Sequence, residues 1–171
     1  STEAAAESGK YYVERAYYQK EMMDAVNDPE VKSVVLEGSS QVGKTEILLN
    51  AIGYYIDQDA SPILVTQPTL QMGQAFSKDR LSAMIRDSEK LKGCVKDARS
   101  RDSGNTLFSK EFPGGMMIIT GANSATGLRS TPCRYISLDE VDAFPSDVSG
   151  EGDPVALAEK RATTFSTRKK V

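Results

Sequence analysis

Two groups of residues in this sequence are typed and spaced for phosphate chemistry. The first is Gly38-Ser39-Ser40-Gln41-Val42-Gly43-Lys44-Thr45, which fits G-x-x-x-x-G-K-[ST] at every fixed position. Glycines at 38 and 43 let the backbone turn sharply and come close to an anion. The loop amides and the start of the next helix then form an anion site. Lys44 is set to reach the β- and γ-phosphates of a nucleotide, and Thr45 to offer its hydroxyl to Mg²⁺. At average composition a chance match in a chain this long is on the order of one in 200. The second group is Asp139-Glu140, at the end of the apolar run Tyr135-Ile136-Ser137-Leu138. Asp139 is typed to hold Mg²⁺ through water, and Glu140 to orient and polarise the water that attacks a γ-phosphate. Alone, each pattern has a bland reading: a turn that starts a helix, or a strand that ends in an acidic loop. Together they form the two halves that nucleotide hydrolysis needs, and the adjacent Glu points to hydrolysis rather than binding alone. Glu46 reads as a first-turn acid that suits the helix dipole, and Asp142 reads as loop.

These side chains need a strand before the loop, a helix after it, and a strand under the acids. Residues 31–37 (VKSVVLE) are rich in β-branched types and predict a buried strand. A helix is predicted over 44–56, and further buried strands over 62–66 and 134–138. A helix over 12–26 precedes the first strand, with Tyr18, Met22, Met23 and Val26 on one face, and Asn27-Asp28-Pro29 ends it. A long helix is predicted over 70–90 and a polar loop over 93–104. Strands over 106–109 and 116–120 flank the turn Phe112-Pro113-Gly114-Gly115. Asp153 is the predicted cap, and Pro154 the first turn, of a helix to 164. Residues 168–171 read as the approach to another strand. The alternation predicts a mostly parallel sheet with helices on both faces and an antiparallel hairpin; joined to the Gly38–Thr45 motif, the expected fold resembles the three-layer α/β/α sandwich of P-loop NTPases (RecA/ASCE-like). Residues 1–10 are expected to be disordered and 11–171 to form the one domain.

Composition narrows the chemistry further. The chain has 171 residues, 39% hydrophobic and 26% charged, as in an ordinary globular domain. There is no histidine, which excludes Ser-His, Cys-His and His-metal chemistry within this chain. Cys94 and Cys133 lack metal-site spacing and read as free thiols. A net charge of -3 argues against a protein that coats nucleic acid with a generally basic surface. The charge is divided, however. Residues 78–110 carry 9 Lys/Arg against 5 Asp/Glu, and residues 139–159 carry 7 acids and no base. Such runs are usually solvated faces. The functional alternative is a phosphate-facing patch in the first and metal ligands in the second. No apolar run approaches the roughly 20 residues that cross a membrane, and the polar, acidic start is not a signal peptide. The chain starts with Ser rather than Met.

The ordered set of motifs resembles the ATPase domain of lambda-type large terminase subunits of tailed phages. The segments are GSSQVGKTE from Gly38, ILVTQPT from Ile63, ARSRDSGNT from Ala98, EFPGG from Glu111, GANSATGLR from Gly121, LDEVDAFP from Leu138 and GEGDPVAL from Gly150. The resemblance covers nearly the whole chain from about Arg15. It implies a motor that hydrolyses ATP with Mg²⁺ to move double-stranded viral DNA into a procapsid, working in the host cytoplasm and not at a membrane. It implies a small-subunit partner, a portal, and a homo-oligomeric ring on DNA. A nuclease domain and a coupling segment normally follow, so the chain is expected to be a fragment. The resemblance also implies that Tyr18 stacks on adenine; the family's proline falls at Tyr17, which leaves Tyr17 as the alternative. Arg129 matches an arginine presented to a neighbour's γ-phosphate. Lys78, Arg80, Arg86, Arg99 and Arg101 are the candidate DNA-phosphate contacts.

Two other functions fit parts of the pattern. Asp139-Glu140-Val141-Asp142 has the DExD form of helicases, and a helicase of that kind needs a second motor domain. A nucleotide-binding regulator that does not hydrolyse would also carry the loop. Glu140→Gln separates the latter, since a regulator has no turnover to lose.

Overall fold

A computed structural model describes residues 12–39, 42–95 and 105–171. The expected disordered segment 1–10, as well as Ser40, Gln41, Arg99 and Arg101, lie outside these residues.

Four strands form one open sheet in the order β2-β3-β1-β4: β1 Ile63–Gln67, β2 Ser109–Phe112, β3 Gly115–Gly121 and β4 Tyr135–Leu138. β1 is central and parallel to both β3 and β4, with Val65 level with Ile119 and Ser137. β2 and β3 are the antiparallel hairpin, closed by Pro113-Gly114, where Gly114 takes φ 85. All five β1 residues are buried, as a strand with both faces covered requires.

Successive strand residues feed two cores. Ile63, Val65, Met117, Ile119 and Tyr135 pack with Leu49, Ile52, Tyr55 and Ile56 of helix α2, and with Phe76, Leu81 and Leu91. Leu64, Ile118, Ile136 and Leu138 turn to the other face and meet Leu128, Leu157, Ala158 and Ala162. Helices therefore cover both faces of a mixed α/β fold. The helices are α1 Tyr18–Asn27, α2 Lys44–Asp57, α3 Leu70–Ala75, α4 Ser82–Asp87, α5 Glu89–Cys94, α6 Ala125–Arg129 and α7 Pro154–Glu159. Asp153 caps α7 by accepting the Val155 amide at 3.0 Å, and a 3-10 turn Lys160–Phe165 continues it. α1 ends at Asn27, ahead of Pro29, as expected.

Three expectations need correction. Residues 31–37 form no strand ladder: only the Val34 amide and the Lys32 carbonyl bond across, both to Val171, and Val35 is 86% exposed. The stretch over 70–90 is not one helix. A π-helical turn Phe76–Leu81 separates α3 from α4, with the Ser82 amide and hydroxyl both bonded to the Ser77 carbonyl. The chain then leaves helical geometry at Ser88, which caps α5 through the Leu91 amide. Residues 106–109 are a turn rather than a strand. The Thr106 hydroxyl accepts the amides of Phe108 and Ser109, so the strand starts at Ser109.

Ties at the start of β4 lock the sheet to its flanks. Arg134 makes a two-bond ion pair with Asp59, at 2.6 and 2.9 Å, and Tyr135 donates to the same carboxylate. Burial opposes ionisation of Asp59, but the bonds from Arg134 and Tyr135 outweigh it and hold the carboxyl below its usual range. Lys170 donates to the carbonyls of Ala25 at 3.2 Å, Asp28 at 2.5 Å and Val31, fastening the end of α1 to the chain beside β4. Both cysteines are free thiols; burial pushes that of Cys133 up to about 11, which makes it inert. No helix among the described residues is long and apolar enough to cross a membrane.

Candidate nucleotide site

Gly43 carries the turn into α2. Its φ of 82 is left-handed, and a Cβ built there would lie 2.3 Å from the Gln19 amide nitrogen. The left-handed backbone is what calls for glycine here, and a Cβ would in addition push the Gln19 amide aside. Lys44 folds back over the loop and donates to the Gly38 carbonyl at 2.8 Å. Thr45 follows in the first turn of α2.

A cavity of about 400 Å³ opens beside this loop, lined by Tyr18, Met22, Leu36, Glu37, Gly38, Ser39, Val42, Lys44 and Ile47. Its apolar wall suits a flat ring, and its Lys44 end suits anionic oxygen. Tyr18 is half-exposed on this wall and donates to the Val42 carbonyl at 3.0 Å. Tyr17 is 80% exposed and does not line the cavity.

Gln19 is the residue that sequence reasoning missed. It is 3% exposed, and its side-chain amide donates to the Val42 carbonyl at 3.2 Å. One loop carbonyl is thus held by two donors from α1. The signal was present: 19, 22, 23 and 26 share one helical face, and a polar amide at an apolar register position needs a partner. Gln19→Ala removes a buried bond worth about 1 kcal/mol, so the melting temperature is expected to fall by about 2–4 °C, measurable by thermal denaturation.

Asp139 leaves β4 with its amide bonded to the Thr66 carbonyl at 3.0 Å, and its Oδ2 accepts from the Gln67 side chain at 3.0 Å. Glu140 is exposed and takes φ 54, a left-handed backbone uncommon for a residue with a Cβ. Asp139 and Glu140 are not among the residues that line the Lys44 cavity. Backbone bonds relate the two motifs nonetheless. The Val171 amide donates to Lys32 and the Val171 carbonyl accepts from Val34, which is a parallel pairing opposite Ser33. Lys170 pairs in parallel with Tyr135 in the same manner. The chain ahead of Gly38 and β4 therefore both run parallel to residues 170–171.

As donors, Thr45 and Asp139 suit Mg²⁺, since both offer hard oxygen. Among the described residues no group of three or more acidic or Cys side chains could hold a metal alone. Arg129 does not line the cavity; it ends α6 and pairs with Glu151 at 2.8 Å. Among the candidate DNA contacts, Lys78 is exposed, Arg80 is half-buried, and Arg86 pairs with Asp87 at 3.0 Å.

The family model for the ATPase domain of the phage terminase large subunit gpA matches residues 5–171. The large terminase subunit of Escherichia phage lambda is 28% identical over 160 residues, which is 93% of this chain and 25% of that protein. That of Enterobacteria phage P21 is 28% identical over 145 residues, 84% of this chain and 23% of that protein. The chain thus spans about a quarter of the length of these relatives. No solved structure matches it significantly. The chain belongs to the family of phage terminase large subunit ATPase domains.

Proposed function

We propose that this chain is the ATP-hydrolysing motor of a terminase large subunit, built on a P-loop fold of the RecA/ASCE kind. The full protein drives double-stranded viral DNA into a procapsid. One observation supports the reading most: the chain ahead of the Gly38–Thr45 motif and the strand ahead of Asp139-Glu140 run parallel, each paired to residues 170–171. Residues 170–171 lie between residues 32–34 and β4, so the chain before the loop is separated from β4 by one intervening strand position. That order supports the ASCE assignment. Ligands of such sheets sit outside the carboxyl ends of the strands.

In this reading the amides of Gly38, Ser39, Ser40, Gln41, Val42 and Gly43 cradle the phosphates. Lys44 sets its charge on the β- and γ-oxygens, and Tyr18 stacks on the base. Thr45 and Asp139 would hold Mg²⁺, which when bound neutralises charge that develops on the phosphate oxygens. Gln67 fixes the Asp139 carboxylate. Glu140 orients water toward the γ-phosphate and takes up its proton. Arg129 serves the site of a neighbouring copy in a ring on DNA. The small subunit, portal and procapsid are the proposed partners, and the host cytoplasm the place of work.

The test uses the full-length protein. Magnesium-dependent ATP turnover, abolished by chelation and raised by double-stranded DNA, is the expected result. Nucleotide binding with no turnover in the presence of Mg²⁺ and DNA would overturn the motor in favour of a regulator. ATP-driven strand separation would overturn packaging in favour of a helicase.

A further inference from the structure

Arg129 is held from three directions. Its Nη2 pairs with Oε1 of Glu151 at 2.8 Å, and its Nε donates to the Ala125 carbonyl at 3.4 Å. Beneath it, Arg161 donates to the Arg129 carbonyl at 2.6 Å. The side chain of Arg129 is nevertheless 51% exposed, against 29% for Glu151. The guanidinium is thus paired while half of the side chain stays open to solvent.

Glu151 is carried by a stiff loop. The Asp147 carboxylate accepts the amides of Gly150 at 2.6 Å and Gly152 at 2.8 Å. Val148, 2% exposed, anchors the loop in the second core, and its amide and carbonyl bond Gly152 and Glu151, both at 3.0 Å. Ser149, Gly150 and Gly152 take φ of 56, 79 and 103. A Cβ at either glycine would meet nothing within 4 Å, so these glycines serve the left-handed backbone rather than close packing. A half-exposed ion pair contributes little to stability. A loop so fully tied is a large investment for that return, which points to a role in orienting the arginine.

We propose that Glu151 is a positioning residue for Arg129. It fixes the guanidinium before contact, outer edge toward solvent, where the γ-phosphate of ATP bound to a second copy of this chain meets it. The proposal rests on the reading of Arg129 as a residue presented to a neighbour. A free arginine loses rotamer entropy when it is immobilised. Fixing it in advance removes that cost from the catalytic encounter.

The test compares ATP turnover of the full-length protein assembled on double-stranded DNA. Arg129→Ala is expected to lower kcat about 10³-fold. Glu151→Ala is expected to lower kcat roughly 10-fold, with KM for ATP and the melting temperature unchanged. Glu151→Gln keeps the acceptor oxygen and should recover most of the loss. The double alanine variant should match Arg129→Ala alone, because Glu151 acts only through Arg129. If Arg129→Ala loses turnover while Glu151→Ala keeps or raises it, the positioning role falls and the finger stands. If Arg129→Ala keeps normal turnover, both fall. A Glu151→Ala loss that Gln does not rescue, with a lowered melting temperature, assigns Glu151 to structure and overturns the proposal.

Discussion

Glu140→Gln is expected to lower ATP turnover by roughly 10²- to 10⁴-fold, the usual contribution of a positioned general base, and to leave ATP affinity within about twofold. The separation follows from where the residue sits. Glu140 is exposed, and its side chain makes no hydrogen bond or ion pair among the described residues. Exposed sites of that kind change stability by only about 0.5 kcal/mol when substituted, so folding cannot explain a large kinetic loss. The Gly38–Thr45 loop does not depend on it either, since its Val42 carbonyl is held by α1 and its Gly38 carbonyl by Lys44. The backbone at 140 adds a second arm. With φ 54 and ψ 49, the position suits glycine, and the turn is closed by the Ala143 amide on the Glu140 carbonyl at 2.9 Å. Glu140→Gly should therefore lose turnover as fully as Gln while its melting temperature falls by no more than a degree or two, on the order of the scatter for surface changes. Non-glycine residues in such conformations persist where the side chain has a task. Wild-type turnover in Glu140→Gln would remove the assigned base.

Much of this site was legible because its parts are local. A glycine-lysine-threonine loop before a helix states its own geometry, and α2 begins at Lys44 as the pattern requires. β1 and β4 were legible because a short apolar run buried on both faces has few alternatives. What stayed hidden depended on distant chain. Residues 31–37 have strand composition, but a ladder needs a neighbour along its whole length, and only Val34 and Lys32 find one in Val171. The π-helical turn arises because Ser77 is buried and its hydroxyl reaches Leu107 at 2.5 Å, a tie that no local periodicity encodes. Thr106 looked like a strand residue by type, yet its hydroxyl captures two local amides and makes a turn. The short helix α6 follows from Ser124 accepting the Gly127 amide and from Gly127 lying against Thr120, where a Cβ would come within 1.9 Å of the hydroxyl oxygen. Arg129 was legible as a candidate, whereas its partner Glu151 was not, because the pairing joins the end of α6 to a loop that follows β4, a contact no local pattern encodes.

Lys44→Ala is expected to cost more than Glu140→Gln in binding and about as much in turnover. The ammonium has two duties that the alanine loses together. Before nucleotide arrives it closes the loop on itself through the Gly38 carbonyl at 2.8 Å. In the proposed function the same three-donor head would turn to the β- and γ-oxygens of a bound nucleotide, and removing one such donor costs about 10²- to 10³-fold in kcat. Affinity should fall as well, by roughly 10- to 100-fold, because a charge-assisted bond is worth about 1.5–3 kcal/mol. Lys44→Arg discriminates between charge and shape. Its planar guanidinium keeps the charge but cannot act as a compact point donor, in a turn where a Cβ at Gly43 would already come within 2.3 Å of Gln19. Retained affinity with lost turnover in the arginine variant would assign Lys44 to the moving γ-phosphate rather than to ground-state binding. Full affinity and full turnover in Lys44→Ala would mean that this turn holds no phosphate, and Tyr18, Gln19 and the cavity they frame would then need another ligand.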